Sequence, residues 1–259
     1  MKINQLLGLL VAIVALGSCN MAHQADTATV SNSDTTSLPG EINSHLLSKF
    51  KSGNSLPYVA DTTLMFHMEI YDSLGTNEVK QLDRKWAVGD SSIGEEYILK
   101  EFYLIDSIKA SGKYAAWCDS LEPGMTMRSN AYAIGRIAVD TTWQLLLWGL
   151  VTSSYEACPF STMQSVYVSI MNEDLVVKTF KLGEYISSAD PPVAMQRIVT
   201  GVINKDLTVD VNMYEENDED MDQPELTVTR GYYRLSIKDG NISVLSEKKE
   251  EPVKVKRKK

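Results

Sequence analysis

The sequence predicts a mainly β protein with helices in its amino-terminal part. From residue 130 onward, apolar and polar side chains alternate with the period of two that a half-buried strand requires, as in residues 166–170 and 207–213. Acidic or amide turn residues interrupt this pattern at intervals of about 33 residues. The turns are centred on Asp140, Glu173, Lys205 and Asp239. We therefore predict an antiparallel up-and-down meander of about eight strands over residues 130–247, either a closed barrel or a sandwich.

Residues 41–129 are predicted to contain mostly helices and loops. Ile42, Leu46 and Phe50 follow the spacing of an amphipathic helix, and apolar residues within 79–86 repeat that spacing. These helices have an expected position on the sheet, because residues 143–148 are almost entirely apolar and depart from alternation. Such a strand must be covered on both faces, and we expect the helices to cover the outer one. Residues 41–247 then form one domain.

The amino terminus has the three parts of a secretory signal, which are the basic Lys2, an apolar run over residues 6–16, and small residues before Cys19. The apolar run is too short to span a bilayer as a permanent helix. The segment Leu16-Gly17-Ser18-Cys19 resembles the lipobox of Gram-negative bacterial lipoproteins. This resemblance implies that residues 1–18 are removed as a signal peptide. It also implies that Cys19 becomes lipidated and anchors the protein in a membrane.

Residues 19–40 are predicted to form a flexible tether between the lipid and the domain. They are rich in Ser, Thr, Ala, Asn and Asp, and they contain too little apolar surface to offset the entropy of ordering. Residues 20–26 are a poor match to the acidic cluster that follows the lipidated cysteine in some surface-exported lipoproteins. We therefore expect a periplasm-facing domain in the cell envelope, on the outer rather than the inner membrane.

Two cysteines remain once Cys19 carries lipid. Cys118 and Cys158 would form an even pair in an oxidising compartment. A disulfide between them would close a loop of about 40 residues and stabilise the protein by roughly 4 kcal/mol. The alternative is two buried free thiols that pack as small apolar side chains.

The net charge of −9 excludes one class of partner, because nucleic-acid binding requires a basic footprint. The carboxyl-terminal residues 248–259 are basic, in contrast to the rest of the chain. We interpret this tail as a frayed terminus. Attraction to anionic lipid headgroups is the alternative.

No catalytic residues, cofactor or metal site are predicted. The chain lacks a Gly-x-Ser-x-Gly elbow, a His-Glu-x-x-His pair and a phosphate-binding glycine loop. Its three histidines, His23, His45 and His67, lack partners at metal-ligand spacing. A pair of carboxylates could still support hydrolysis without histidine.

One acidic run, over residues 215–222, contains a weak calcium candidate. Asp218, Asp220 and Asp222 have the alternate spacing that opens a calcium-binding loop. The pattern then fails, because Gln223 occupies the place of the required glycine and Thr229 that of the closing glutamate. A solvated loop between two strands is the preferred interpretation.

Three functions are consistent with these features. We expect a membrane-anchored envelope lipoprotein with a non-enzymatic binding or scaffolding role, whose partner is an envelope protein or a glycan. The first alternative is a carrier that holds a small glycan or lipid in a barrel cavity lined by aromatic side chains. The second is a carboxylate-dependent hydrolase.

Overall fold

A computed structural model describes residues 43–83, 102–121, 127–154, 160–173 and 175–257. The helices are α1 (Ser44–Lys49), α2 (Thr62–Phe66), α3 (Thr76–Leu82), α4 (102–110) and α5 (Tyr114–Ser120), with a 3-10 turn at Met68–Ile70. The strands are β1 (Tyr58–Ala60), β2 (Asp72–Leu74), β3 (Met127–Ala138), β4 (Trp143–Ser154), β5 (Phe160–Asn172), β6 (Leu175–Asp190), β7 (Val193–Ile203), β8 (Thr208–Asp218), β9 (Glu225–Lys238), β10 (Asn241–Lys249) and β11 (Val253–Lys256). The predicted signal peptide, Cys19 and the tether lie outside the described residues.

The strands form one antiparallel sheet in the order β2 to β10, so the prediction of a mainly β, up-and-down meander is confirmed. The eight long strands are β3 to β10. The short strand β1 pairs with β7, and the short strand β11 pairs with β9. The sheet is not closed into a barrel, since β2 and β10 are its two ends. Its two halves, β3–β6 and β7–β10, nevertheless contribute side chains to one apolar core.

The predicted turns join β3 to β4, β5 to β6, β7 to β8, and β9 to β10. Asp140 Oδ1 accepts hydrogen bonds from the backbone N–H of Thr142 at 2.7 Å and of Trp143 at 2.9 Å. Glu173 and Asp239 occupy left-handed backbone conformations, with φ of 51° and 50°. Local hydrogen bonding and backbone preference thus account for the turns that the sequence predicts.

Strand β4 is covered on both faces, as predicted. Leu145 and Leu147 belong to the interior core, whereas Leu146 and Trp148 belong to a second, outer core. That outer core includes apolar side chains of α1, α3 and α4. The Trp148 indole N–H donates to Ser169 Oγ at 2.8 Å, which satisfies a buried polar group.

The sheet divides between β6 and β7. These strands pair only from Glu184 to Asp190, and β1 pairs with the Gly201–Ile203 end of β7 instead. The junction depends on Gly201, because a Cβ there would lie 2.2 Å from the Leu182 carbonyl oxygen.

The preferred interpretation of the basic tail as a frayed terminus is wrong. Lys248 and Lys249 belong to β10, and β11 pairs antiparallel with the Glu225–Val228 part of β9. The Arg257 guanidinium forms an ion pair with the Asp218 carboxylate. Backbone pairing and this ion pair order the tail as far as residue 257.

Within the described part of the chain, no helix has the length and apolar character needed to cross a bilayer.

Candidate binding groove

The outer face of β7–β10 carries a groove with a volume of about 530 Å³. Val209, Val211 and Leu235 point into the interior core, so the alternate positions on these strands point outward. The outward side chains that line the groove include Thr200, Asn212, Tyr214, Arg230, Tyr232 and Lys248. They come from four consecutive strands and form a polar and aromatic platform along the groove.

Strand register places the two tyrosines on neighbouring strands. Asn212 of β8 lies directly opposite Tyr232 of β9, and Tyr214 of β8 lies opposite Arg230 of β9. Lys248 of β10 lies on the other side of Tyr232. Cross-strand neighbours on one face are about 5 Å apart, which is close enough for these side chains to contact a single ligand.

Tyr232 is held by a hydrogen bond to the neighbouring strand. Its hydroxyl donates to Asp210 Oδ1 at 2.6 Å, and Asn204 Nδ2 donates to Asp210 Oδ2 at 2.7 Å. The hydrogen bond raises the pKa of Tyr232 and lowers the pKa of Asp210, because it favours the phenol and the carboxylate. The phenol ring therefore keeps one orientation on the groove floor.

Arg230 and Tyr214 form the second part of the platform. The Arg230 guanidinium carbon lies 5.5 Å from the Tyr214 ring centroid, within the range of a cation–π contact. The Tyr214 hydroxyl donates to Glu216 Oε1 at 2.5 Å, and this hydrogen bond raises the pKa of Tyr214. Among the residues that the structure describes, no carboxylate forms an ion pair with Arg230, so its guanidinium can donate to a ligand.

The groove has the chemistry of a binding site. Thr200, Asn212 and Arg230 supply hydrogen-bond donors, and the tyrosines supply aromatic surface. Among the described residues that line the groove, Glu250 is the single carboxylate, and it forms an ion pair with Lys248 at 3.2 Å. The described part of the groove lining therefore holds no pair of carboxylates.

A second polar group lies on the core-facing side of β6, β7 and β8. Glu184, which is 2% exposed, pairs with Lys181 and lies 3.7 Å from Arg197, while Arg197 donates to Glu215 at 2.6 Å. Burial alone would lower the pKa of Arg197, but the hydrogen bonds and charges of Glu215 and Glu184 outweigh it and raise the pKa. Both carboxylates are neutralised by cations, which is the arrangement of a structural network.

The calcium candidate is not assembled. Asp218 pairs with Arg257, while the Asp220 carboxylate accepts hydrogen bonds from Asp222 N at 3.0 Å and Gln223 Nε2 at 3.1 Å. In the described ranges, no three His, Cys, Asp or Glu side chains are arranged to hold a metal ion. The predicted solvated loop is also wrong for the first half of the run, since Glu215–Asp218 belongs to β8. Within it, Glu215 pairs with Arg197 and Asp218 pairs with Arg257.

Cys118 is half-buried on α5. Cys158 lies outside the described residues, so the disulfide between Cys118 and Cys158 stays a prediction.

The described histidines form local contacts. His45 is exposed, with Nδ1 3.6 Å from Glu78 Oε1, and His67 Nδ1 lies 2.8 Å from the Thr63 carbonyl oxygen. His23 lies outside the described ranges.

The groove was not predicted from the sequence. The sequence feature that could have indicated it is a set of polar and aromatic residues at alternate positions of two paired strands. These residues are Asp210, Asn212, Tyr214 and Glu216 on β8, and Arg230, Tyr232 and Arg234 on β9. Alternation predicted which residues face outward, but the choice of neighbours depends on register.

Comparison of the chain with protein-family models, with curated proteins and with solved structures finds no match.

Proposed function

We propose that this protein is a lipid-anchored lipoprotein of the cell envelope, whose meander domain binds a carbohydrate in the groove on β7–β10. The observation that carries the proposal is the platform of Tyr214 and Tyr232 with polar side chains around them. In this proposal Cys19 carries the lipid, and the domain faces the periplasm from the outer membrane. The role is binding, without chemical conversion of the ligand.

The groove supports a carbohydrate because sugars combine an apolar ring face with a rim of hydroxyl groups. A tyrosine ring stacks on the apolar face, and amide, hydroxyl and guanidinium groups pair with the rim. Tyr232 is oriented by Asp210, and Asn212 and Thr200 lie on the adjacent strands. This preorganisation reduces the entropy that a ligand must lose on binding.

The two alternatives have less support. A carrier needs an interior cavity, whereas the space between the two halves of the sheet is packed with aliphatic and aromatic side chains. A carboxylate-dependent hydrolase needs two carboxylates available to substrate, whereas Glu184 and Glu215 are bound by Lys181 and Arg197.

The binding proposal is tested with the full-length lipidated protein in a neutral detergent that has no sugar headgroup. Isothermal titration with a panel of neutral oligosaccharides should give saturable binding to at least one of them. Tyr232→Ala should weaken that binding about tenfold, the equivalent of about 1.4 kcal/mol. The control is Tyr114→Ala on α5, which should bind as the parent does. Absence of binding across the panel, or unchanged affinity in Tyr232→Ala, would refute the proposal.

The anchor is tested separately in cells. Cys19→Ala should prevent lipidation, so the protein should leave the membrane fraction or accumulate with its leader uncleaved. If this variant is processed and fractionates as the parent does, the anchor proposal is wrong.

A further inference from the structure

A second concave surface lies between α1 and β3. It has a volume of about 590 Å³, and its lining includes Ser44, Ser48, Lys51, Ser52 and Arg136. It is separate from the carbohydrate groove, which lies on β7–β10. We refer to it as the basic pocket.

A backbone hydrogen bond joins the two cationic residues of this pocket. The N–H of Arg136 donates to the carbonyl oxygen of Lys51 at 3.1 Å, which joins the segment after α1 to β3. Gly135 permits this approach, because a Cβ at that position would lie 2.0 Å from Asn54 Nδ2. Phe50, which is 2% exposed, inserts into the outer core and fixes the end of α1. The pocket is therefore preformed.

The charge of the pocket contrasts with the net charge of −9 of the chain. Among the described residues that line it, none is acidic. Lys49 on α1 is neutralised by Glu78 at 2.7 Å. In the described ranges, by contrast, neither Lys51 nor Arg136 has an acidic partner. The hydroxyls of Ser44 and Ser52 add hydrogen-bond donors, whereas the Ser48 hydroxyl donates to the His45 carbonyl oxygen at 2.7 Å.

We propose that the basic pocket binds the phosphate group of an anionic lipid headgroup. An arginine fork pairs with two phosphate oxygens, and a lysine adds a compact positive charge. The location supports a lipid source and rests on the proposed anchor at Cys19. About 25 residues separate Cys19 from α1, and the tether that the sequence predicts there would have an end-to-end distance of roughly 25–30 Å. Ser44, the first residue of α1, lines the basic pocket, so an anchor at Cys19 would keep the pocket within reach of the bilayer surface.

The test titrates the full-length chain, in a neutral polyoxyethylene detergent, with three probes. These are short-chain phosphatidylglycerol, short-chain phosphatidylcholine and inorganic phosphate. We expect saturable binding of phosphatidylglycerol that weakens as salt concentration rises. Phosphatidylcholine and inorganic phosphate should each bind at least tenfold more weakly. Equal binding of phosphatidylcholine, or binding of inorganic phosphate alone, would overturn the assignment to an anionic headgroup.

Arg136→Gln and Lys51→Gln should each weaken phosphatidylglycerol binding at least tenfold. Lys51 is exposed, so its variant keeps the test valid if Arg136→Gln fails to fold. The matched control removes two exposed lysines elsewhere, Lys205→Gln with Lys238→Gln, and should bind as the parent does. Parental affinity in Lys51→Gln, or an equal loss in the control, would overturn the proposal.

Failure of the lipid-headgroup proposal can be distinguished from failure of the carbohydrate-binding or anchor proposal. Tyr232→Ala should leave phosphatidylglycerol binding unchanged, and Lys51→Gln should leave carbohydrate binding unchanged. A missing lipid anchor would alter membrane fractionation in cells without altering either titration of the purified chain.

Discussion

The Tyr232 hydroxyl donates a hydrogen bond of 2.6 Å to Asp210 Oδ1, from β9 to β8 across the floor of the groove. Asp210 also accepts from Asn204 at 2.7 Å and lies 3.5 Å from Arg234. The Asp210 carboxylate thus connects the Tyr232 ring, which faces the groove, to Asn204 in the β7–β8 turn. The stability of this part of the sheet should therefore depend on the ionisation of Asp210.

Asp210→Asn should destabilise the protein at pH 7 and have little effect at low pH. The pKa of Asp210 is lowered in the folded protein, chiefly by the Tyr232 hydrogen bond, so its carboxylate stabilises the fold above its unfolded pKa of about 4. That contribution is lost as pH falls through the lower folded pKa. Urea unfolding at pH 7 and at acidic pH measures the difference between variant and parent. An equal difference at both values would contradict this assignment.

Ser169→Ala should lower the free energy of unfolding by about 1–3 kcal/mol. Ser169 is fully buried, accepts from Trp148 Nε1 at 2.8 Å, and donates to the Leu82 carbonyl oxygen at 2.9 Å. The variant leaves the indole N–H without this acceptor inside the outer core. Chemical denaturation followed by tryptophan fluorescence measures the change. Ser246→Ala, on exposed β10, is the control and should stay within about 0.5 kcal/mol of the parent.

Glu184→Gln should destabilise the protein by about 3 kcal/mol, because it removes a buried carboxylate and leaves the partly buried cations of Lys181 and Arg197 with less negative charge. Replacement of the buried pair together, Glu184→Leu with Lys181→Met, should recover part of the loss. Thermal and urea unfolding of the single and double variants measure both effects. The exposed Glu247→Gln is the control, and a similar loss there would argue against a specific network.

Arg257→Ala should destabilise the protein by about 2 kcal/mol, because it removes the partner of Asp218 and a hydrogen bond of 3.0 Å to the Asp220 carbonyl oxygen. Hydrogen exchange should increase at the amides of β11, which the ion pair holds against β9. Lys256→Ala changes a neighbouring exposed cation and should leave exchange unchanged. Parental exchange in Arg257→Ala would show that the ion pair does not order the tail.

The turns and strands of the meander were predictable because their causes are local. Asp140 binds the next backbone N–H groups, and Asp239 and Glu173 accept left-handed backbone conformations. The apolar run of β4 indicated a strand buried on both faces, since an exposed face would carry polar side chains. Each of these inferences uses only the chemistry of adjacent residues.

Other features depend on residues that are distant in sequence. Tyr58 of β1 pairs with Ile203, and Val253 of β11 pairs with Val228. The pattern of a short strand does not specify which of several edges it joins. The sequence of the basic tail therefore predicted a frayed terminus. In the structure, pairing with β9 and the Arg257 contact order it.

The order of polar and apolar residues by itself determined the class of fold and the positions of the hairpin turns. Only the tertiary structure decided that Tyr232 lies between Asn212 and Lys248, and that Lys51 lies beside Arg136. The physical reason is that side-chain alternation is an intrinsic property of an extended chain, whereas register and loop packing arise from the free energy of the whole assembled core.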